Sequence, residues 1–78
     1  MKVLDGDGCA IYIYDEEHPP PHCHVIYTDK SEIVVGLPFL EGWYGHKVDR
    51  KLKRFLNENL ETLTEAWDEK HPKRKKYK

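Results

Sequence analysis

The alternation of apolar and polar positions changes its period once along the chain, near residue 46. Before that point, short runs rich in β-branched and aromatic residues are separated by turn-forming residues, which is typical of strands. We predict strands over 9–14, 23–28 and 32–36. The short link between the last two suits an antiparallel hairpin. The first eight residues could add an edge strand or be irregular.

After residue 46, apolar residues recur every three or four positions, which is the spacing of one buried helix face. The stripe consists of Val48, Leu52, Phe55, Leu56, Leu60, Leu63 and Trp67. One helix over 46–69 would be about 36 Å long, which exceeds the length of such strands. The segment 57–59 has low helix propensity, and Asn59 suits the N-cap of a second helix. We therefore predict two helices with a break or kink near 57–59, with one continuous helix as the alternative.

These elements predict an α+β fold. A small antiparallel sheet of about three strands has one face covered by a C-terminal helical pair or by one kinked helix. A chain of 78 residues forms one small domain with a thin stability margin.

Charge divides the chain into an acidic body and a basic end. Residues 70–78 hold six of the 13 Lys and Arg residues and no acid, whereas residues 1–69 hold seven bases and 14 acids. We predict a single domain over 1–69 and a disordered basic tail over 70–78. No apolar run could cross a membrane, and no secretory signal is visible. With only two cysteines, a cytoplasmic protein with free thiols is expected.

Three histidines fall within seven positions in the stretch HPPPHCHV, residues 18–25. Along the second predicted strand, side-chain alternation places His22 and His24 on one face and Cys23 and Val25 on the other. The face of Val25 is expected to lie under the helices. His22 and His24 should then lie on the open face, away from the helices, with His18 entering from the loop.

The stretch IYIYDEEHPPPHCHV resembles the opening of small bacterial proteins grouped as domain-of-unknown-function family 4160. The matching residues are His18, Pro20, Pro21, His22, His24 and Val25. The chain departs from the family pattern at Glu17, Cys23 and Asn59, where Asp, an aromatic residue and His are common. The resemblance implies no established activity. It implies a bacterial protein that is one half of a toxin–antitoxin-like gene pair, with a small cognate protein as partner.

Three hypotheses for the histidine face are open, and we rank a non-catalytic binding module first. Trp43 and Tyr44, in a glycine-flanked loop, are its candidate anchors, although Trp43 could equally be a lid on the core. The second hypothesis is acid–base catalysis, such as metal-free RNA cleavage. The third is a zinc site of His18, His22 and His24. We expect no metal or other cofactor, because no carboxylate or Cys-x-x-Cys spacing supports one.

Basic residues near tyrosine rings are a candidate RNA-contacting surface, with a merely solvated face as the alternative. The candidates are Tyr12, Tyr14, Lys47, Arg50, Lys51, Arg54, Lys73, Arg74, Lys75 and Lys76. We thus expect a component of a toxin–antitoxin-like module that binds a protein or RNA through the histidine face. A ribonuclease-type toxin, metal-free or zinc-dependent, is the alternative. Whether the chain is an enzyme and which oligomer it forms are left open.

Overall fold

The computed structural model describes residues 2–6, 8–15 and 17–71, and shows one sheet with two helices after it. The strands are β1 (Lys2–Gly6), β2 (Cys9–Tyr12), β3 (His22–Tyr27) and β4 (Glu32–Gly36), and the helices are α1 (Arg50–Glu58) and α2 (Leu60–Lys70). The sheet is antiparallel, in the order β1-β2-β3-β4. The α+β class is confirmed, but the sheet has four strands rather than three, because β1 pairs with β2 as an edge strand.

The core lies on the sheet face that alternation predicts. Ile11 pairs with Val25, and Val25 pairs with Ile33, so the three side chains share one face. Ile11, Val25 and the neighbouring Cys23 are fully buried. This apolar face packs against the helical stripe in one continuous hydrophobic cluster.

The helical stripe is buried as its spacing predicts, and the break falls where it is expected. The buried stripe residues are Leu52, Leu56, Leu63 and Trp67. The first helix begins at Arg50 rather than near residue 46, because the Asp49 side chain accepts a hydrogen bond from the Leu52 N–H at 2.8 Å and caps the helix. Asn59 is the N-cap residue of α2, as predicted, but its side chain makes no capping hydrogen bond there. Its side-chain amide instead donates to the Phe55 carbonyl at 2.9 Å and closes the end of α1.

The loop after β4 covers the outer edge of that strand. The Gly36 N–H donates to the Glu41 carbonyl at 2.8 Å, and the Trp43 N–H donates to the Val34 carbonyl at 2.9 Å. The Val34 N–H in turn donates to Nδ1 of His46 at 3.0 Å. Because its backbone groups are satisfied in this way, β4 ends the sheet against its own chain.

Three further sequence-based expectations concern the rest of the chain. Cys9 and Cys23 are thiols that no disulfide joins. Within the described ranges, no helix is long and apolar enough to cross a membrane. The basic tail was predicted over 70–78, but Lys70 is the last residue of α2. The rest of its bases, including Lys73, Arg74, Lys75 and Lys76, fall on residues 72–78, which lie outside the described residues.

Candidate functional site

Two histidines and one glutamate converge where β3 begins. His22 and His24 lie two residues apart on the same face of β3. Oε1 of Glu17, from the preceding loop, contacts Nε2 of His22 and lies 2.9 Å from Nε2 of His24. The three side chains each offer a ligand atom within 4.8 Å of the others. We refer to these three residues as the Glu17–His22–His24 cluster.

The far side of each imidazole ring also faces an oxygen atom. Nδ1 of His22 lies 2.9 Å from the carbonyl oxygen of Pro20, and Nδ1 of His24 lies 2.6 Å from Oε2 of Glu32. The strand register explains the second contact. His24 pairs with Val34, which is two residues from Glu32, so Glu32 is a diagonal neighbour of His24 on the same face. Each ring is therefore held at both of its nitrogen atoms.

His22 is buried between two tryptophan rings. Its ring centroid lies 4.5 Å from that of Trp43 and 5.2 Å from that of Trp67 in α2. Gly36 pairs with His22, and a Cβ atom there would lie 2.6 Å from Nε1 of Trp43, so only glycine lets the indole lie this close. The expectation that His22 lies away from the helices is thus wrong, because His22 begins β3 and α2 reaches its ring at the end of the sheet.

His24 is partly open to solvent and is flanked by tyrosine rings. The Tyr14 ring lies 4.7 Å from the His24 ring, and Tyr12 stacks on Tyr14 at 6.0 Å. Burial, followed by the negative charge of Glu32, raises the pKa of Tyr14. Tyr14 therefore stays a neutral phenol beside His24.

Glu17 carries the negative charge at the centre of the cluster. Hydrogen bonds from His24 and His22 lower the pKa of Glu17, because they favour its ionised form. Its side chain is 30% exposed, whereas those of His22 and His24 are 6% and 14% exposed. The cluster consequently meets solvent mainly through Glu17. Two imidazoles and one glutamate carboxylate are also a donor set of catalytic zinc sites.

His18 does not take the place that the sequence suggests for it. It is exposed, and the metal-capable group found among the described residues contains Glu17 in its stead. The proposed set of His18, His22 and His24 is therefore corrected to Glu17, His22 and His24. The proline loop brings Glu17 against the β3 histidines. Side-chain alternation along a strand cannot predict a contact made from a loop.

The remaining candidate residues lie in two separate places. Trp43 is half-buried against His22, and its neighbour Tyr44 is 81% exposed. Lys51 and Arg54 line a groove beside Tyr27, at the opposite end of β3. His22 and Tyr27 are separated by roughly 17 Å along the strand at about 3.3 Å per residue. Lys47 and Arg50 lie just before α1 and at its first position. The structure thus does not bring the basic helix to the histidines.

Sequence reasoning missed the two carboxylates of the site. Glu17 stands at the acidic position that precedes the first histidine of the motif, and that position was a usable signal. Glu32 could be placed only with the register of β3 against β4. Neither pairing follows from the spacing of residues along a single strand.

A four-stranded sheet, backed by two helices and bearing a histidine–carboxylate cluster where β3 begins, defines a small α+β protein. The family model described as domain of unknown function (DUF4160) matches residues 8–68. The chain belongs to this family, which confirms the resemblance seen in the proline–histidine motif. No curated protein and no solved structure gives a match.

Proposed function

We propose that the Glu17–His22–His24 cluster binds one zinc ion, or a similar divalent transition metal, and that the protein acts through this centre. One observation carries the proposal: all four ring nitrogens of the two histidines face oxygen atoms. A carbonyl or carboxylate oxygen can only accept, and a neutral imidazole has a single N–H. Each neutral ring therefore points one nitrogen lone pair at an oxygen atom. This contact is repulsive unless a positive charge lies between the nitrogen and the oxygen.

A metal ion at the centre satisfies every one of these contacts. With the metal on both Nε2 atoms, the Nδ1–H of His22 donates to Pro20 and the Nδ1–H of His24 donates to Glu32. Metal-ligating histidines characteristically donate their other N–H to a carbonyl or carboxylate, which fixes the tautomer and the ring orientation. The structure supplies one acceptor of each kind. Tetrahedral ligation needs about 3.3 Å between ligand atoms, compared with 2.9 Å between Oε1 of Glu17 and Nε2 of His24.

This proposal replaces the preference for a metal-free site. That preference rested on the lack of a carboxylate at a ligand spacing, and Glu17 and Glu32 remove the objection. The competing explanation is that both rings are protonated and balanced by these two glutamates, an arrangement that suits acid–base chemistry without metal. The two explanations differ in whether the site takes up zinc.

Three protein ligands leave one position of a tetrahedral zinc ion for water or substrate, as in catalytic zinc sites. A bound metal lowers the pKa of such a water to near neutrality and supplies a hydroxide. A hydrolytic role is therefore the chemistry that the ligand set supports best. A ribonuclease-type toxin, the alternative that the sequence analysis left open, is one form of this role.

A second candidate function is a partner-binding module at the same face. It is supported by Tyr44 and Phe39, which are 81% and 77% exposed in the loop that carries Trp43. Large exposed aromatic side chains are typical anchors for a protein partner. Under this candidate, the metal centre orders the face on which a small cognate protein docks.

Zinc titration of the tag-free protein by calorimetry tests the proposed function. We expect one zinc per chain for the native sequence, and at least about tenfold weaker binding for Glu17→Ala and His24→Ala. His18→Ala is the matched control, because it removes a histidine of the same motif that lies outside the cluster. Absence of zinc binding, or an equal loss in the His18 variant, would contradict the proposal. Hydrolysis of single-stranded RNA by the zinc-loaded protein then separates the two candidate functions.

A further inference from the structure

A groove of about 440 Å³ lies at the end of the sheet opposite the Glu17–His22–His24 cluster. Its apolar lining comes from Cys9 and Tyr27 at the ends of β2 and β3, and from Leu52 and Phe55 of α1. The same lining carries positive charge from Lys51 and Arg54 and negative charge from Asp49 and Glu58. The volume falls in the range of pockets that bury a ligand or several apolar side chains.

The bases of the acidic body are concentrated at this groove. Five of the seven Lys and Arg residues of 1–69 lie within 47–54, and the whole segment 47–58 contains only two acids. Elsewhere in 1–69 the balance is two bases against 12 acids. One basic helix on an otherwise acidic body is a strong local asymmetry in the electrostatic field.

The order of charges along α1 works against the stability of the helix. Its first turn holds no acid and its last turn holds no base, whereas the helix dipole favours the reverse. Arg50 and Lys51 instead occupy the positive end, and Glu58 occupies the negative end. Arg50 and Lys51 thus place positive charge at the start of α1 beside an apolar groove, where it favours a ligand of opposite charge.

We propose that this groove docks an acidic, amphipathic segment of a protein partner. Apolar side chains of that segment enter between Tyr27 and Phe55, and its carboxylates pair with Lys51 and Arg54. An apolar anchor surrounded by complementary charge is the usual arrangement for a helix or strand bound in a groove. A nucleic acid would also be attracted by the bases, but it would leave the apolar lining without an occupant.

Two of the lining residues, Asp49 and Glu58, are acids, but the segment 47–58 as a whole holds five bases against these two. Oδ1 of Asp49 already accepts the Leu52 N–H at 2.8 Å, so it serves the helix cap. Glu58 lies at the C-terminal end of α1, so the bases gather toward the other end. The charge therefore also predicts an orientation, with the acidic residues of the partner toward the start of α1.

The docking site is independent of the proposed metal centre. The groove adjoins Tyr27, the last residue of β3, whereas the cluster adjoins His22, the first. Zinc binding and partner docking can accordingly be gained or lost separately. The groove inference would survive the failure of the zinc proposal, and the reverse also holds.

The test uses four synthetic peptides of equal length, built on one amphipathic sequence. Two carry Glu and two carry Lys around the apolar positions, and one of each pair has its aromatic anchors replaced by Ala. We expect the Glu peptide with anchors to bind the full-length protein at least about tenfold more tightly than the other three, as measured by fluorescence anisotropy. It should also slow alkylation of Cys9, which lines the groove.

Lys51→Glu and Arg50→Glu form a matched pair of variants. Both reverse one charge in the first turn of α1, but only Lys51 lines the groove. We expect Lys51→Glu to weaken binding of the Glu peptide at least about tenfold and Arg50→Glu to weaken it less than about threefold. The melting curve of each variant is measured as well, so that a loss of binding is not confused with a loss of the fold.

Several results would overturn the assignment. They are a Lys peptide that binds as well as the Glu peptide, no Glu-peptide binding up to about 1 mM, unprotected Cys9, or equal losses in the two variants. A single-stranded RNA that binds more tightly than the Glu peptide, and loses affinity equally in both variants, would assign the basic face to nucleic acid instead.

Discussion

Glu17 brings one carboxylate oxygen against ring nitrogens of both His22 and His24, and this contact sets the chemistry of the site. Without Glu17, the two histidines would be a pair of partly buried rings with one acceptor each, at Pro20 and Glu32. With it, the residues present three inward ligand atoms supported by two outer acceptors. At the scale of single residues, the site therefore has the arrangement of the proposed ligand set together with the outer partners that would orient it.

Glu32 is predicted to support the metal indirectly. Its carboxylate accepts from Nδ1 of His24 at 2.6 Å and so directs the Nε2 lone pair toward the centre. Loss of such an outer partner typically costs about 10–100-fold in metal affinity. Glu32→Ala should therefore weaken zinc binding by about that factor in a calorimetric titration, and Glu32→Gln, which keeps an acceptor, by less. The exposed Glu41→Ala is the control, and equal affinities for the Ala variants at 32 and 41 would reject this role.

The two cysteines should differ sharply in reactivity. Cys23 is fully buried in the core, and burial raises the pKa of its thiol to about 12, because the thiolate is disfavoured away from water. Iodoacetamide at pH 8 should therefore modify Cys9, which is half-exposed, and spare Cys23 until the protein unfolds. Mass spectrometry of the native and denatured protein measures both sites. Modification of native Cys23 as fast as Cys9 would show that the core is open at β3.

Sequence reasoning recovered part of the site at this scale. Strand alternation correctly placed His22 and His24 together and turned Cys23 away from them, because a strand fixes directions two residues at a time. It could not place Glu17, whose position depends on the path of the proline loop. It also could not place Glu32, whose contact depends on pairing between two strands. Long-range geometry of this kind has no periodic signal.

At the scale of elements, α1 and α2 cover one face of the sheet and reach both ends of it. Phe55 of α1 lines the groove beside Tyr27, and Trp67 of α2 contacts His22. The break at Asn59 separates these two halves and is closed by the bond from its side chain to the Phe55 carbonyl. Each helix therefore serves one of the two proposed sites.

Asp49 is predicted to fix the start of α1. Its side chain accepts from the Leu52 N–H at 2.8 Å, which satisfies one of the donors left unpaired at a helix N-terminus. Asp49→Ala should cost about 0.5–2 kcal/mol in the free energy of unfolding, measured by urea denaturation. Asp49→Asn, which retains a capping oxygen, should recover most of this loss. Equal stability of the Ala variant and the native protein would show that the cap does not contribute.

Elements with a strong periodic signal in the sequence were predicted more accurately than elements with a weak one. The apolar stripe predicted the buried helix face, since seven apolar residues define one side of both helices, and the low helix propensity of 57–59 predicted the break. β1 was left undecided because Lys2–Gly6 contains few alternating residues and is recognised mainly by its pairing with β2. The strand predicted over 9–14 is two residues too long, because β2 ends at Tyr12.

At the scale of the whole molecule, the two proposed sites lie at opposite ends of the sheet. The end at His22 carries the Glu17–His22–His24 cluster, and the end at Tyr27 carries the groove beside α1. In a domain of 78 residues, the two lie on opposite sides of one small hydrophobic core. Because such a core leaves a thin stability margin, a metal that joins β3 to the preceding loop should raise the stability of the whole domain.

Zinc should therefore raise the melting temperature of the whole domain. A ligand at 100 times its dissociation constant adds about 2.7 kcal/mol to the stability of the folded state. For a domain of this size, that corresponds to an increase of about 10–20 °C in a calorimetric or spectroscopic melt. The His24→Ala variant is the control and should show little increase. A similar increase in that variant would place the zinc elsewhere.

Anomalous X-ray diffraction at the zinc edge, from a crystal of the tag-free protein grown with zinc, tests the central claim most directly. The account predicts one strong anomalous peak about 2.0–2.2 Å from Nε2 of His22, Nε2 of His24 and a carboxylate oxygen of Glu17. Nδ1 of His22 and His24 should keep their contacts with Pro20 and Glu32. A peak bound by His18, a peak bound elsewhere alone, or no peak at these three residues would contradict the account.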